Sequence, residues 1–358
     1  MEGVGMTDGF WAGRRVFLTG HTGFKGSWLA LWLKHLGAEV HGYALTPPTT
    51  PSLFEAAQVA GDLAGNTLAD IRDPKALRDA VQAADPQLVI HMAAQPLVRY
   101  SYQEPVETYE VNVLGTVQVL EAVRTCPAVR AALVITSDKC YDNRELSWGY
   151  RETDALGGAD PYSNSKACTE LVTAAYRTSF LKPNGVSVAT ARAGNVIGGG
   201  DWAVDRLLPD FFRAIGSGKT LEIRYPEATR PWQHVLQPLS GYLRLAELML
   251  TDGERYAEAW NFGPSELDAR PVRWVLEYLS RQIPGAAWRH TGEKQAHEAR
   301  SLRLDSSKAS LLLNWSPRWT LETALDRTVE WHSAWTHGTD MHGVCLEQLR
   351  EFESAGGN

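Results

Sequence analysis

The sequence is short of the features that mark membrane, disulfide-rich and metal-binding proteins. No apolar run reaches the ~18 residues that a membrane-spanning helix needs. The four cysteines form no CxxC pair and no zinc-type spacing, so we expect free thiols and no metal site. Free thiols are typical of a reducing compartment, and the first nine residues contain no apolar signal-peptide core. We therefore expect a cytoplasmic protein.

An excess of basic charge is also missing. The 358 residues carry a formal net charge of -7, which argues against a nucleic-acid or anionic-membrane surface. Any phosphate site must then be built from local groups. The sequence has no internal repeats, low-complexity tracts or heptads, and its length suits one large α/β domain with a smaller partner.

Short apolar strands alternate with helices from Arg15 onward. The predicted strands are 16–19, 39–45, 87–91, 131–136 and 186–192, and the predicted helices between them are 27–36, 74–84, 109–124 and 161–181. This alternation predicts a doubly wound parallel sheet with helices on both faces, which is a Rossmann-like α/β fold.

The alternation weakens after Gly194, where three consecutive glycines and several prolines interrupt it. A helix is predicted at 241–250, and a strand at 259–262 is expected to return to the first sheet. We therefore expect a larger domain over 10–194 with a return at 232–262. Residues 195–231 and 263–345 are expected to form a smaller C-terminal α/β domain that closes over the sheet's C-terminal edge.

A glycine-rich loop, TGHTGFKG at 19–26, joins the first predicted strand to the first helix. Its first glycine suits a tight turn, its second lets the backbone approach a diphosphate, and its third lets the helix pack on the strand. The N–H groups at the helix start then face the phosphates. The predicted dinucleotide contacts here are Gly20, Thr22, Gly23, Phe24, Lys25 and Gly26. For His21 and Lys25 the sequence leaves open a phosphate contact or a side chain pointing to solvent.

The end of the second predicted strand bears on which dinucleotide binds. Residues 44–48 contain neither the acidic residue that usually holds the adenosine ribose nor a basic residue for a 2′-phosphate, so we expect NAD. Asp70 and Ile71 are expected at the adenine, with a helix or turn cap as the alternative for Asp70. The small residues Ala93 and Ala94 would let the dinucleotide lie across the sheet edge.

Tyr162 and Lys166 lie four residues apart, in a helix predicted to begin at Pro161 with Asp160 as its N-cap. At this spacing the two side chains share one face of the helix. A nearby lysine charge favours the phenolate and lowers a tyrosine pKa from ~10 toward neutrality. The pair therefore predicts that Tyr162 acts as the base for an alcohol proton.

Ser137, Asp138 and Lys139 follow the strand predicted at 131–136, at the sheet edge where chemistry takes place in open α/β folds. Ser137 is expected to hydrogen-bond the same substrate oxygen as Tyr162. A turn cap is the alternative for Asp138, and a solvated charge is the alternative for Lys139. An acid and a base beside a tyrosine that serves as the base in hydride transfer indicate chemistry beyond hydride transfer alone.

These segments together resemble a known family. The segments 19–28 (TGHTGFKGSW), 136–141 (TSDKCY) and 161–166 (PYSNSK) are similar to those of extended short-chain dehydrogenase/reductases that act on nucleotide sugars, and among these to the CDP-glucose 4,6-dehydratases. Segments 192–202, 230–235 and 304–309 fit the same pattern. The dTDP-glucose and GDP-mannose dehydratases carry glutamate where Lys139 stands, which points to the CDP-sugar branch.

The resemblance implies an NAD-dependent lyase of deoxysugar biosynthesis that works in three steps. Tyr162 takes the sugar 4-hydroxyl proton as hydride leaves C4, while Ser137 orients the oxygen and Lys166 holds the nicotinamide ribose. Water then leaves from C5–C6 with Asp138 as the acid. Lys139 is either the C5 base, if its pKa is depressed, or a cation that stabilises the enolate. Hydride finally returns to C6, so CDP-glucose becomes CDP-4-keto-6-deoxy-glucose and no cofactor is consumed.

The resemblance also implies the substrate contacts and the assembly. Asn195, Arg206 and Arg230 match diphosphate or ribose contacts, with salt bridges as the alternative, and Glu298 and Arg300 are weaker nucleotide candidates. A homodimer or homotetramer is expected, with a dimer built on helices 109–124 and 162–181.

The sequence leaves three alternative functions open: another nucleotide-sugar 4,6-dehydratase, an epimerase or oxidoreductase on the same scaffold, and a non-catalytic dinucleotide-binding protein. An epimerase needs no acid–base pair for C5–C6 elimination, so Asp138 and Lys139 argue against it. A non-catalytic protein need not keep Ser137, Tyr162 and Lys166 together.

Overall fold

The computed structural model describes residues 9–291 and 302–356. Its strands, in chain order, are β1 (Arg15–Thr19), β2 (Glu39–Ala44), β3 (Gly65–Leu68), β4 (Leu88–His91), β5 (Ala131–Ile135), β6 (Ser187–Ala193), β7 (Val196–Ile197), β8 (Leu221–Ile223), β9 (Thr229–Pro231), β10 (Gln233–His234), β11 (Ala259–Phe262), β12 (Ala269–Pro271) and β13 (Trp288–His290). Seven of them form one parallel sheet in the order β11-β6-β5-β4-β1-β2-β3. This sheet confirms the predicted doubly wound fold, and β11 returns to it as expected.

The sequence did not predict β3. Its residues, Gly65–Leu68, form an edge strand that pairs only with β2, and three of the four are exposed. An exposed strand with a glycine and an asparagine shows no apolar periodicity, so the pattern that identified the buried strands was lacking here.

The helices are α1 (Phe24–His35), α2 (Leu53–Ala56), α3 (Pro74–Ala84), α4 (Val98–Gln103), α5 (Pro105–Tyr109), α6 (Gly115–Arg124), α7 (Pro161–Tyr176), α8 (Leu207–Gly216), α9 (Leu236–Thr251), α10 (Gly253–Tyr256), α11 (Val272–Gln282), α12 (Ser307–Leu313), α13 (Leu321–Thr336) and α14 (Met341–Ser354). Both long helices predicted from the sequence contain a π-helical turn, Glu110–Leu114 in one and Arg177–Leu181 in the other. Across the described residues, no helix combines the length and the apolar character needed to cross a membrane.

Local sequence signals fix where the key helices begin. Asp73 accepts hydrogen bonds from two first-turn N–H groups of α3. Asp160 likewise accepts one from Ser163 in α7. A proline is the first residue of each helix, where a missing N–H costs nothing. The residues that carry the predicted chemistry on α7 are therefore placed from a defined helix start.

Alternate residues of the buried strands pack on opposite faces of the sheet. Val16 and Leu18 belong to a core that includes the tryptophans of α1 and the apolar face of α9. Phe17, between them, belongs to the core formed with α3 and α6. Both faces are thus covered, as a parallel sheet requires.

A separate, smaller core lies beside the C-terminal edge of the sheet. Its members come from α8, α11 and the start of α13, and include Phe211, Leu276 and Leu325. Two-stranded sheets flank it: β8 with β13, and β9 with β12. Helices α12 and α14 pack on the large domain instead, since Leu313 and Phe352 share the core of α1.

Candidate active site

One large cleft lies at the C-terminal edge of the seven-stranded sheet, with a volume of about 1290 Å³. Apart from Glu298 and Arg300, the residues predicted for cofactor, catalysis and substrate line it: Gly20, Thr22, Gly23, Phe24, Lys25, Gly26, Asp70, Ile71, Ala93, Ala94, Ser137, Asp138, Lys139, Tyr162, Lys166, Asn195, Arg206 and Arg230. Side chains separated by more than two hundred residues in sequence therefore share one space, in the crevice where open α/β sheets bind ligands.

The glycine loop makes a tight turn between β1 and α1. Gly20 has a φ of +78°, and a Cβ on it would lie 2.7 Å from the Ala93 nitrogen. A Cβ on Gly26 would lie 2.0 Å from the Gly20 oxygen. A Cβ on Gly23 would have one neighbour within 4 Å, the Gly20 oxygen at 3.4 Å, so the backbone at Gly23 is open to the cleft. No side chain caps α1 and no acidic residue lies in its first turn, which leaves its N–H groups for an anion.

The two unusual side chains of this loop both turn inward. His21 is fully buried, and its Nε2 lies 2.8 Å from Asn66 Oδ1 on β3. Lys25 donates from Nζ to the Tyr242 hydroxyl on α9 at 3.1 Å. Burial lowers the pKa of Lys25 to about 7, with Lys166 and Arg206 acting in the same direction. His21 therefore does not point to solvent and does not line the cleft, whereas Lys25 is half-buried and lines it.

The adenine end predicted from the sequence lies at β2 and β3. The cleft wall after β2, from Ala44 to Leu53, contains no charged side chain. Thr22 Oγ1 donates to the Leu45 carbonyl at 2.9 Å and so fastens the glycine loop to this wall. Asp70 accepts three hydrogen bonds from Arg72, and these bonds lower its pKa.

Tyr162 and Lys166 lie one turn apart on α7 and are both buried. Burial raises the pKa of Tyr162, and the opposing influences are Lys139 first and a hydrogen bond with Ser137 second. The sequence assigned the lowering to Lys166 and predicted a shift toward neutrality. Both parts of that prediction are wrong, because the phenol is desolvated and Lys139 is the cation that acts on it most. Burial lowers the pKa of Lys166 itself to about 8, and Glu170 opposes this.

Shortly after β5, Ser137 is the N-cap of a one-turn 3₁₀ helix, Asp138–Cys140, which contains Asp138 and Lys139. Ser137 Oγ donates to Asp138 Oδ1 at 2.9 Å and accepts from the Lys139 N–H at 3.2 Å. Lys139 Nζ lies 3.5 Å from the same Asp138 oxygen. Asp138 is 2% exposed, so this carboxylate is reached only from the cleft.

The charge of Lys139 follows from these neighbours. Burial alone would lower its pKa, but Asp138 and Tyr162 outweigh burial and raise the pKa above its ordinary value. The structure thus favours the protonated side chain, whereas the alternative of a neutral C5 base required a depressed pKa.

The predicted substrate residues lie across the cleft from α7. Arg206 Nη1 is 2.9 Å from Asp201 Oδ2, so the salt bridge held open as an alternative is present, yet Arg206 also lines the cleft. Arg230 is on β9 and Asn195 lies between β6 and β7. Glu298 and Arg300 lie outside the described residues.

Sequence reasoning missed two parts of the cleft wall. Arg99 on α4 forms an ion pair with Asp205 at 2.7 Å, which joins the two sides of the cleft. Strand β8 and the two residues after it, Arg224 and Tyr225, also line the cleft. A three-residue strand gives too short a pattern to be recognised, and Arg99 lies in no motif.

Comparison with known proteins adds to this geometry. The family model described as GDP-mannose 4,6 dehydratase matches residues 17–328. A CDP-glucose 4,6-dehydratase of Salmonella typhimurium is 51% identical over 352 residues, which cover 97% of this chain and 98% of that protein. The structure of an epimerase from Methanothermobacter thermautotrophicus has a TM-score of 0.79 at 22% identity, with 92% and 96% of the two chains covered. MoeE5 in complex with UDP-glucose and NAD has a TM-score of 0.75 at 24% identity, with 90% and 99% covered.

Proposed function

The chain belongs to the GDP-mannose 4,6-dehydratase family, and we propose that it is an NAD-dependent CDP-glucose 4,6-dehydratase. This hydro-lyase converts CDP-D-glucose to CDP-4-keto-6-deoxy-D-glucose and water, by oxidation at C4, loss of water from C5–C6 and reduction at C6. The observation that carries the proposal is the Asp138–Lys139 pair beside Tyr162 in the cleft. The relative that is 51% identical along nearly the whole chain has the same activity in its name.

The glycine loop fits the dinucleotide. Gly23 leaves the backbone open at the uncapped start of α1, where N–H groups suit a diphosphate. The segment at 44–48 offers no cation for a 2′-phosphate, which agrees with NAD. Asp70 and Ile71 would hold the adenine end, and Ala93 and Ala94 give room across the sheet edge. When bound, NAD supplies the chemistry of hydride transfer: its oxidised form accepts a hydride and its reduced form donates one.

Tyr162 is the base that removes the 4-hydroxyl proton. Ser137 orients the 4-oxygen, since its hydroxyl lines the cleft together with the Tyr162 phenol. Lys139 is the cation that most favours the phenolate, while Lys166 would hold the nicotinamide ribose. Lys139 opposes the burial that raises the pKa of Tyr162, and so it favours transfer of the 4-hydroxyl proton to the phenolate.

Asp138 protonates the departing 6-hydroxyl with the proton lost from C5: its carboxylate, beside Lys139, accepts the C5 proton and passes it to the 6-oxygen as water leaves. Lys139 acts as a cation throughout. Once C4 is a ketone, the C5 proton becomes acidic and the enolate that forms carries negative charge on the 4-oxygen. Lys139 lies close enough to Tyr162 and Asp138 to affect both, so its ammonium can stabilise that charge.

Arg206, Arg230 and Asn195 would hold the sugar nucleotide's diphosphate and ribose. Guanidinium groups suit phosphate oxygens because they present parallel N–H donors. The large domain, 10–194 with 232–262, would bind NAD, and 195–231 with 263–345 would bind the sugar nucleotide. The small core around Phe211 supports the second domain.

Product analysis tests the proposed function. The purified protein with NAD is incubated with CDP-, dTDP-, UDP- and GDP-linked hexoses, and the products are identified by mass spectrometry. We expect loss of one water from CDP-glucose with no net NADH. Water loss from another donor would identify a different 4,6-dehydratase, and an unchanged mass with inverted sugar configuration would identify an epimerase. No conversion of any donor would reject the proposal.

We also propose a homodimer or homotetramer built on α6 and α7. Leu114, Leu171 and Phe180, on or next to these helices, are large apolar side chains that are 56%, 58% and 45% exposed. Light scattering should give at least twice the chain mass for the wild type and the single mass for Leu171→Glu. Leu267→Glu, at an exposed site in the small domain, should not change the mass. A monomeric wild type would reject this assembly.

The cytoplasm is the proposed location. All four cysteines are free thiols, and Cys126, Cys140 and Cys345 are buried, as expected for a protein that folds without disulfides.

A further inference from the structure

A carboxylate behind the cleft, Glu170 on α7, takes no part in the proposed chemistry. It is 4% exposed and accepts hydrogen bonds from both sides. Arg192 donates to its two oxygens at 2.9 and 2.8 Å, and Thr190 donates at 2.7 Å. The fourth donor is the hydroxyl of Thr136. All the lone pairs of a buried ion are thereby satisfied, which a buried charge requires.

The four bonds join β6 to the two parts of the fold that carry the catalytic side chains, the segment after β5 and α7. Thr190 and Arg192 are on β6, and Thr136 lies between the end of β5 and Ser137. Glu170 is one turn after Lys166 and two turns after Tyr162 on α7. A single side chain therefore ties the strand end that presents Ser137 to the helix that presents Tyr162 and Lys166.

Hydrogen bonds also extend from Arg192 to the residue that follows the turn carrying Lys139. Arg192 donates to the Tyr141 hydroxyl at 2.7 Å, and Tyr141 donates to Asn261 Oδ1 on β11 at 2.7 Å. Tyr141 directly follows the 3₁₀ turn Asp138–Cys140. Both ends of the segment that carries Ser137, Asp138 and Lys139 are thus fastened, by Thr136 on one side and Tyr141 on the other.

Stability alone does not explain this arrangement. Burying an ion pair removes two charges from water, and well-packed apolar residues of similar volume are often as stable. What apolar residues cannot provide is directed bonds that fix a loop against a helix.

Resting on the proposed function, we propose that Glu170 is a positioning residue for the dehydration: through Thr136 it holds Ser137 at the distance from Tyr162 that the reaction needs. Glu170 touches neither substrate nor cofactor in this role. Its effect is transmitted by the backbone between Thr136 and Ser137.

The test compares two substitutions that each remove one hydroxyl donor to Glu170. Thr136→Val frees the residue next to Ser137, and Thr190→Val frees a residue within β6, far along the chain from the catalytic segment. Both leave the Glu170–Arg192 pair in place, whereas Glu170→Gln would leave a buried arginine unpaired and is expected to destabilise the whole fold. Similar losses of Tm are expected for the two valine variants, since each removes the same kind of bond.

Catalysis should separate them. Thr136→Val is expected to lower kcat for CDP-glucose by about tenfold or more, because small misplacements of reacting groups are costly. The rise of kcat with pH should also move to higher pH, since displacement of the 137–139 segment takes Lys139 away from Tyr162, whose pKa Lys139 lowers. Thr190→Val should change kcat less than about twofold and leave the pH profile in place.

Hydrogen exchange gives a readout that needs no substrate. The amides of 137–141 should exchange faster in Thr136→Val than in the wild type or Thr190→Val, because the Lys139 N–H bonds to Ser137 Oγ. Equal exchange and equal kcat in the two variants would overturn the positioning role. Faster exchange in Thr136→Val with no turnover by the wild type would sustain the positioning and reject the proposed function instead.

Discussion

The two walls of the cleft are built in different ways. On the catalytic wall, Ser137, Tyr162 and Lys166 are buried and stand at the ends of central elements of a seven-stranded sheet. On the substrate wall, Arg230 is on β9, a three-residue strand whose one partner is β12. Arg206 lies on the same wall, forms an ion pair with Asp201, and has a side chain that is 33% exposed.

This difference has a physical consequence. Buried hydrogen bonds in a wide sheet hold a side chain firmly, whereas an isolated two-stranded sheet is marginal by itself and an exposed ion pair contributes little. The catalytic wall is therefore suited to fixed geometry, and the substrate wall to adjusting around a flexible ligand. Changes on the first should appear in kcat, and changes on the second in KM.

The largest effect is expected for Tyr162→Phe. Removing the phenol removes the base for the first proton transfer, so kcat should fall about 10³-fold or more while KM changes little. Tyr109→Phe is the matched control, since its hydroxyl bonds to Asn164 on the same helix without taking part in the chemistry. Steady-state kinetics measure both. A Tyr162→Phe enzyme with near-normal kcat would break the assignment of the catalytic wall.

Lys139 should show the next largest effect, and two substitutions decide its role. Lys139→Met removes the cation and should lower the rate of water loss about 10²-fold. Lys139→Arg keeps a positive charge that cannot act as a base, so it should retain much more activity than the methionine variant. Rapid-quench analysis of CDP-glucose conversion measures both. If the arginine variant is as inactive as the methionine variant, Lys139 is the C5 base.

A smaller effect, of a different kind, is expected for Arg230→Met. Losing one charge-assisted phosphate contact should raise KM for CDP-glucose about ten- to a hundredfold and leave kcat within a few-fold. Arg273→Met is the control, because it removes an arginine of the same domain that is paired with Glu227 on the surface. A fall in kcat at unchanged KM would mean that the two walls do not differ in the way described.

The sequence predicted the catalytic wall better than the substrate wall. Buried strands give apolar runs, and Tyr162 and Lys166 are related by helical spacing, so both could be recognised from local pattern. The edge strand β3 and the short β8 lack such a pattern and were missed. Charges were harder still. The pKa of Tyr162 depends on Lys139, which is 23 residues away in the chain, and no local rule shows that these residues meet.

Lys25 shows the same limit and gives the smallest expected effect. Its spacing in the loop could not reveal that Nζ turns under the cleft to Tyr242. The folded-state pKa of about 7 lies below the unfolded value of ~10.4. Between these values the unfolded chain binds a proton that the folded protein does not, so Lys25 makes stability rise with pH from about 7 to 10. Below pH 7 the folded protein must hold a buried charge beside Lys166 and Arg206.

Lys25→Met should therefore raise Tm by a few degrees at pH 6, with a gain that shrinks toward pH 9. Lys34→Met, at an exposed position near the other end of α1, should give no such trend. Thermal unfolding of the three proteins across this pH range makes the comparison. A gain that is constant with pH would show that Lys25 does not titrate near neutrality, and the cation-rich floor of the cleft would then be held charged throughout. A gain confined to low pH means that the charged Lys25 ammonium, buried beside Lys166 and Arg206, destabilises the folded protein.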